Sequence, residues 1–417
     1  MEKTTKKDTK MEKKEKPHKR RKKKSSSAFD LVEMSTLVIT TMLISLFMGG
    51  AVTYSLMNKH GVVTEDANLK ELIDNYRYIT ENYYHDVDQE ELVDGAIKGM
   101  LSTLGDIHSS FIDEGISSNF DLSLQGSYEG LGIEVVNTNQ DVYIYRVFPN
   151  TPADTAGLKV GDKIISVDGK KLEGKKTSEF SNYVKKKKLG TNMKVIYERN
   201  GKQSEVTMAK KFVVIPSVSS KVVEENDKKV GYLAISTFSA TTTNQFKNQL
   251  KSLEEKHIDS LIIDLRGNSG GHLSVVSDML SALMDKSHVI YQIQSKDGTK
   301  KYYSEGSTTK TYPIIVLQDE SSASASELMA SALQEQLKAT VVGTKSYGKG
   351  TVQELIDLSD GNQYKVTTKK WLTSKGVWID GTGVKPDIEV ELIDRYHETG
   401  EEADDNQYQK ALEEAAK

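Results

Sequence analysis

The chain has 417 residues, no cysteine, and 56 basic against 60 acidic residues, for a formal net charge of −4. That length suits two or three domains, each with its own core, and the lack of cysteine excludes disulfides, thiol nucleophiles, iron–sulfur clusters and thiolate zinc sites. The composition, 37% hydrophobic with 30 glycines, is that of a folded protein, and the near-neutral charge excludes a nucleic-acid binder only if that charge is evenly spread.

It is not. Residues 1–24 hold thirteen Lys or Arg against four acids (Glu2, Asp8, Glu12, Glu15), net +9, which leaves −13 for the other 393. From Met34 to Asn58 none of the 25 residues is charged. As a helix that run would extend about 37 Å, at about 1.5 Å per residue. This is enough for one tilted crossing of a hydrocarbon core roughly 30 Å thick. The expectation is a basic cytoplasmic tail at 1–33 and a transmembrane helix at 34–58, with the rest outside the cytoplasm. The excess of Lys and Arg before the run sets that orientation. A bacterial plasma membrane, not nucleic acid, is then the partner of the basic tail.

Residues 59–117 read as a helical arm. Leu69, Leu72, Ile73 and Tyr76 recur at helical spacing, as do Leu92, Ile97, Met100 and Leu101. Residues 118–212 change to short alternating strands punctuated by Gly, Pro and Asp. Two features stand out there: Tyr128-Glu-Gly-Leu-Gly-Ile133, a glycine turn entering a strand, and the stretch Thr151-Pro-Ala-Asp-Thr-Ala-Gly-Leu158 running on to Gly169. In this order they resemble the PDZ domain of bacterial proteases. The resemblance implies that Gly130, Leu131, Gly132 and Ile133 form the loop that binds a peptide's terminal carboxylate, the peptide adding as a strand.

Residues 213–392 alternate strands with helices. Val230–Ser236, Ser260–Arg266, Ile314–Leu317 and Thr340–Val342 read as buried strands. Phe246, Leu250 and Leu253, then Leu273, Val276, Leu280 and Leu283, mark helix faces. This pattern predicts an α/β core. Residues 393–417 are acidic and polar and read as a surface helix or tail. The fold class expected for the whole chain is a multidomain combination of α+β and α/β parts: membrane helix, helical arm, β-rich PDZ domain and α/β core.

Three segments of the core carry chemistry. Gly267-Asn-Ser-Gly-Gly271 fits the Gly-x-Ser-x-Gly elbow, with Ser269 as nucleophile, but such a site needs a histidine base. His272, His288 and His397 lie downstream in no informative context. Gly343-Thr-Lys-Ser-Tyr-Gly-Lys-Gly350 misses a phosphate-binding loop by one residue, because Gly350 stands where Ser or Thr should meet magnesium. Residues 351–358 then read as a strand where a helix is required. Ser321-Ser-Ala-Ser-Ala-Ser326 enters a helix and on its own is a serine-rich cap.

Taken together, residues 66–392 resemble a carboxy-terminal processing peptidase, a Ser–Lys endopeptidase with an embedded PDZ domain. Four blocks match in order: Gly105-Asp-Ile-His-Ser-Ser-Phe111, Asp264-Leu-Arg-Gly-Asn-Ser-Gly-Gly271, Ser322-Ala-Ser-Ala-Ser-Glu327 and Tyr347-Gly-Lys-Gly-Thr-Val-Gln353. The first block is usually richer in Pro and Tyr. A fifth stretch, from Trp371 to Asp387, fits the family's C-terminal signature. The resemblance implies Ser324 as nucleophile, Lys349 as base and Gln353 as the residue that orients the amine. It places Pro where this chain has Ser269, so that position needs no hydroxyl. The Ala325 N–H, with one from Gly270 or Gly271, is the expected oxyanion hole.

The expected function is cleavage near the C-termini of exported proteins, with the PDZ domain binding the substrate's tail. A Ser–Lys pair needs no metal or cofactor, and none is expected. Residues 66–110 and 393–417 are candidates for a homodimer contact. The rival reading is a catalytically inactive, membrane-anchored PDZ adaptor that binds C-terminal peptides.

Overall fold

The computed structural model describes residues 31–59, 66–112 and 124–417. The basic block at 1–24 lies outside the described residues. Two compact units divide between Gln89 and Glu90.

The first unit holds the helices Leu31–Lys59 and Ala67–Asn82. Asp66 caps the second by accepting the Asn68 and Leu69 N–H groups at 2.9 and 3.4 Å. The uncharged run falls in the first helix. Among the described residues, however, no helix is long and apolar enough to cross a membrane. The transmembrane helix expected at 34–58 is therefore corrected. The run also carries Ser35, Thr36, Thr40, Thr41, Ser45 and Gly49, and the Thr40 hydroxyl turns back onto the Thr36 carbonyl.

The second unit contains the PDZ domain and the α/β core. The PDZ strands 133–138, 141–147, 163–167, 192–199 and 202–209 form one antiparallel sheet in that order, with a short sixth strand beside 163–167. Alternation decides the faces: Met193, Val195 and Tyr197 point into the core while Asn192 and Lys194 stay outside. Asn200 and Gly201, both at positive φ, close the two-residue turn to the next strand. The Thr177–Lys186 helix covers this core through Phe180 and Val184. A two-stranded ribbon, Ser127–Gly130 with Lys211–Val214, joins the two ends of the domain.

The core is built on a six-stranded sheet in the order 218–225, 228–235, 260–264, 314–318, 340–343, 388–389. The first pair is antiparallel and the rest are parallel. The strands Ser260–Asp264 and Ile314–Gln318 are buried throughout, as unbroken apolar runs covered on both faces must be. The helices Thr242–Glu254, Leu273–Leu280 and Ala325–Leu337 pack on one face. The Asn406–Ala415 helix packs on the other, where Tyr408, Ala411, Leu412 and Ala415 meet Val230, Ile262, Leu317 and Val342. The acidic C-terminal segment is thus a structural layer of the sheet, more than a surface tail. A second, antiparallel sheet runs 110–112, 363–372, 289–295, 298–303, with 351–357 also paired to 363–372.

Leu412→Ala should lower unfolding free energy by about 2–5 kcal/mol, because it opens a cavity under the sheet. A urea titration of the full chain checks this, with an unchanged midpoint as the contrary result.

Candidate active site

Three loops leave the carboxyl ends of the parallel strands 260–264, 314–318 and 340–343, the edge where α/β sheets place their sites. They carry the three motifs singled out from the sequence. The middle loop enters the Ala325–Leu337 helix through Ser324, which sits at φ +54° and ψ −110°. A non-glycine residue there is strained by on the order of 1–3 kcal/mol. The serines around it have structural partners. Ser322 donates to the Leu265 carbonyl and Ser326 to the Asn268 carbonyl, at 2.9 and 2.7 Å. The Ser324 hydroxyl donates to no group among the described residues. Its position at the helix start places it by the positive end of the helix dipole.

Glu327, one turn into that helix, is fully buried. Its Oε2 accepts the N–H of Ser324 at 2.7 Å and of Lys349 at 2.8 Å. Its Oε1 accepts the Ser346 hydroxyl and the Gly348 N–H, both at 2.6 Å. One carboxylate thus fixes the backbone of Ser324 and Lys349 against the same atom. The Tyr347 N–H to the Ser322 carbonyl, at 3.0 Å, joins the two loops again.

The Gly-Lys-Gly loop is gripped from the C-terminal signature. The Trp371 indole donates to the Lys349 carbonyl at 2.7 Å, the Trp378 indole to the Gly350 carbonyl at 3.1 Å, and Asp380 accepts the Gly350 N–H at 2.9 Å. A side chain at Gly350 would place its Cβ 2.7 Å from the Trp378 indole nitrogen, so the close grip requires glycine. Burial pushes the Lys349 amine below the ordinary lysine range, and the positive charge of Lys365 adds to that. Asp106 and Glu327 pull the other way and lose.

Gln353 stands on the next strand, Thr351–Asp357, donating its amide hydrogens to Thr351 and Thr367. No direct hydrogen bond joins the side chains of Ser324, Lys349 and Gln353 among the described residues. In enzymes without substrate such bonds are often long.

The third loop completes the site. A Cβ added at Gly270, which has φ +110°, would lie 3.1 Å from Ser324 Cβ and 3.2 Å from the Ala325 nitrogen. Only glycine lets this loop touch the elbow. The Gly270 N–H, however, donates to Asn268 Oδ1 at 2.9 Å. Of the expected oxyanion donors this engages Gly270 and leaves Ala325 and Gly271. Ser269 is exposed and lies outside the arrangement. The sequence pattern assigns no role to Asn268 or Glu327. Asn268 also fixes the loop through its own amide to the Ile235 carbonyl at 2.9 Å.

In the PDZ domain, Gly130 ends one strand and Ile133 begins the next, with Gly132 at φ +88° between them. The Leu131 N–H donates to no acceptor among the described residues, while the Gly132 N–H is turned to the Tyr128 hydroxyl. A groove of about 490 Å³ runs from this turn along Ile133, Val135, Phe180 and Val184, with Lys185 and Lys210 also lining it.

A serine at a strained strand-to-helix elbow, a half-buried lysine held beside it and a PDZ domain in the same chain define a Ser–Lys endopeptidase. The comparisons agree. The model of peptidase family S41 matches residues 229–390, that of the PDZ domain 130–209, and that of the activating protease CtpB N-terminal domain 46–115. The chain is 39% identical to the carboxy-terminal processing protease CtpB of Bacillus subtilis, over 77% of its own length and 67% of that protein's. It is 35% identical to CtpA of the same organism, over 84% and 74%. The chain belongs to peptidase family S41, as a carboxy-terminal processing serine protease with a PDZ domain.

Glu327→Gln puts an NH₂ group where two N–H or O–H donors now point. Each stranded donor costs about 1–3 kcal/mol. The variant should melt lower and lose most of its activity in parallel. Thermal unfolding and a protease assay check this, and a variant with unaltered melting and activity would remove Glu327 from its bracing role.

Proposed function

We propose that Ser324 attacks the scissile peptide carbonyl, that Lys349 in its neutral form takes the serine proton, and that Gln353 accepts a hydrogen bond from the lysine amine. The observation that carries this reading is the Glu327 carboxylate, which holds the Ser324 and Lys349 backbones on one oxygen. A serine hydroxyl is a poor nucleophile until a base removes its proton. The lowered pKa of Lys349 supplies such a base nearer neutral pH. The lysine then returns the proton to the leaving amine, and water resolves the acyl-enzyme by the same route reversed. Ala325 and Gly271 donate their N–H groups to the oxyanion. One such donor is typically worth about 10²–10³ in rate.

The PDZ groove is read as the site for the substrate's C-terminal residues. The Leu131 and Gly132 amides take the carboxylate, and Phe180 and Val184 take an apolar last side chain. We also place the catalytic part outside the cytoplasm, acting on exported proteins. The charge step between residues 1–24 and the uncharged run supports that placement, since export signals order charge and apolar residues in this way. A reporter fused after Lys417 that is active only outside the cytoplasm tests it. Nothing favours the inactive adaptor, since the serine, the lysine and their brace are all in place.

Ser324→Ala and Lys349→Ala should each abolish cleavage of a protein with an apolar C-terminus, while Ser269→Ala should cleave normally. Activity lost in Ser269→Ala alone, with the fold intact, would move the nucleophile to the other loop. In the PDZ groove, Phe180→Ala should raise KM for apolar tails and leave kcat within about twofold, as loss of uniform binding does. An unchanged preference between apolar and charged tails would separate the groove from tail recognition. The acid limb of kcat/KM should lie below the ordinary lysine value of about 10.4. Lys365→Ala removes a like charge, raises the Lys349 pKa and should move that limb to higher pH.

A further inference from the structure

The block at 105–111 precedes the PDZ domain in sequence, yet its strand Ser110–Ile112 pairs with Gln363–Leu372, Ser110 opposite Lys365. The strand Thr351–Asp357 pairs with the same partner, Gln353 opposite Thr367. Thr367 therefore connects the block to Gln353. Ser109 donates its hydroxyl to Asp106 Oδ2 at 2.6 Å and accepts the Thr367 N–H at 2.9 Å. The Thr367 side chain lies beside Asp106 and helps to lower its pKa. Its oxygen accepts a Gln353 amide hydrogen at 3.0 Å.

An ionised carboxylate only accepts hydrogen bonds. Burial pushes the Asp106 pKa up, but Ser109 and Thr367 outweigh it and leave Asp106 below the usual carboxylate range. The negative charge of Asp106 then favours a Thr367 hydroxyl with its proton turned toward the carboxylate, which leaves its lone pairs to accept from Gln353. The other Gln353 amide hydrogen is on Thr351 Oγ1 at 2.9 Å. With both hydrogens committed, only Oε1 remains, and it is an acceptor. A glutamine amide is nearly symmetric in shape and is oriented by its partners alone.

We propose that Asp106 is a positioning residue of the catalytic centre: acting through Thr367, it fixes the Gln353 amide so that its carbonyl oxygen, and not its NH₂, meets the Lys349 amine. This rests on the catalytic reading of Lys349 and Gln353 given above. Without the charge at 106, the Thr367 hydroxyl is free to donate to Gln353. The amide can then turn over and present hydrogens to an amine that also carries hydrogens.

The charged and titratable groups around Lys349 are Lys365, Asp106, Glu327 and His108, and His108 in turn faces Asp380 and Lys365. Asp106 favours the protonated lysine, so removing its charge lowers the Lys349 pKa. The acid limb of the pH–rate profile then moves to lower pH. A lesion that only loosens the fold scales the profile without moving it.

The test uses the full chain carrying Asp106→Asn, Thr367→Val, Gln353→Ala and the double variant Asp106→Asn with Gln353→Ala, each checked by thermal melting. Thr367→Val keeps the backbone N–H to Ser109 and covers the case in which Asp106→Asn does not fold. Asp106→Asn and Thr367→Val should each lower kcat on the order of 10-fold, a part of the 10²–10⁴ that a positioned base supplies, with KM unchanged. Asp106→Asn should also move the acid limb to lower pH, and it should cost nothing further once Gln353 is Ala. Full kcat in either single variant, or a loss in the double variant equal to the product of the two single losses, overturns the proposal. Full activity of Gln353→Ala would instead withdraw Gln353 from catalysis, and the relay with it. Full activity of Ser324→Ala would overturn the catalytic reading itself.

Discussion

A single buried carboxylate organises this centre. Glu327 has no contact with water, and taking a charge out of water costs several kcal/mol unless its lone pairs are filled. Here four donors fill them, three backbone N–H groups and one hydroxyl. Charge-assisted bonds of this kind are roughly twice as strong as neutral ones. The donors come from two loops at the ends of two strands, so satisfying the charge forces the loops together. The positive φ of Ser324 belongs to the same arrangement: its N–H reaches Glu327 from that strained turn. Strain, burial and proximity of the two key residues are one structural fact seen from three sides.

That solution creates a second problem. A lysine meant to work as a base must be neutral, and Glu327 and Asp106 both favour its charged form. Two things answer this. Burial of the amine and the nearby charge of Lys365 oppose ionisation directly. In addition, each negative charge is already met by donors, Glu327 by four and Asp106 by Ser109 and the His108 N–H, with Thr367 beside it. Dipoles pointed at a carboxylate offset much of the field it exerts on its neighbours. The network that holds the site in shape therefore also shields the lysine from the anions that do the holding.

Much of this was legible in the sequence, for identifiable reasons. The buried strands Ser260–Asp264 and Ile314–Gln318 are unbroken apolar runs, and the PDZ strands alternate, so both sheets announced themselves. The motif blocks were readable because each is a short loop at a strand end. Glu327 lay inside one of those blocks without a role. Three of its partners lie about twenty positions away, and backbone amides leave no mark in a sequence. Asn268 was within reach: a side chain that captures the N–H two residues on is a local habit of Asn, and it would have engaged Gly270 in advance. The C-terminal helix was also within reach. Tyr408, Ala411, Leu412 and Ala415 recur at helical spacing, but they are set among acidic residues that mask the stripe.

The block at 105–111 shows why a motif can sit far from the chemistry it serves. The PDZ domain is an insertion, and a domain inserted into a chain needs both of its ends fixed to the host. One end is the strand Ser110–Ile112, laid against Gln363–Leu372. The other is the ribbon Lys211–Val214, from which the Ile215 N–H reaches back to the Gly126 carbonyl. The first attachment lies one strand away from Gln353 and carries Asp106 beside Lys349. A residue placed there is held by the sheet and needs no support from the PDZ domain. The point of insertion is therefore also a place where the sequence ahead of the PDZ domain can act on the base, through the Thr367 hydroxyl and the Gln353 amide it orients.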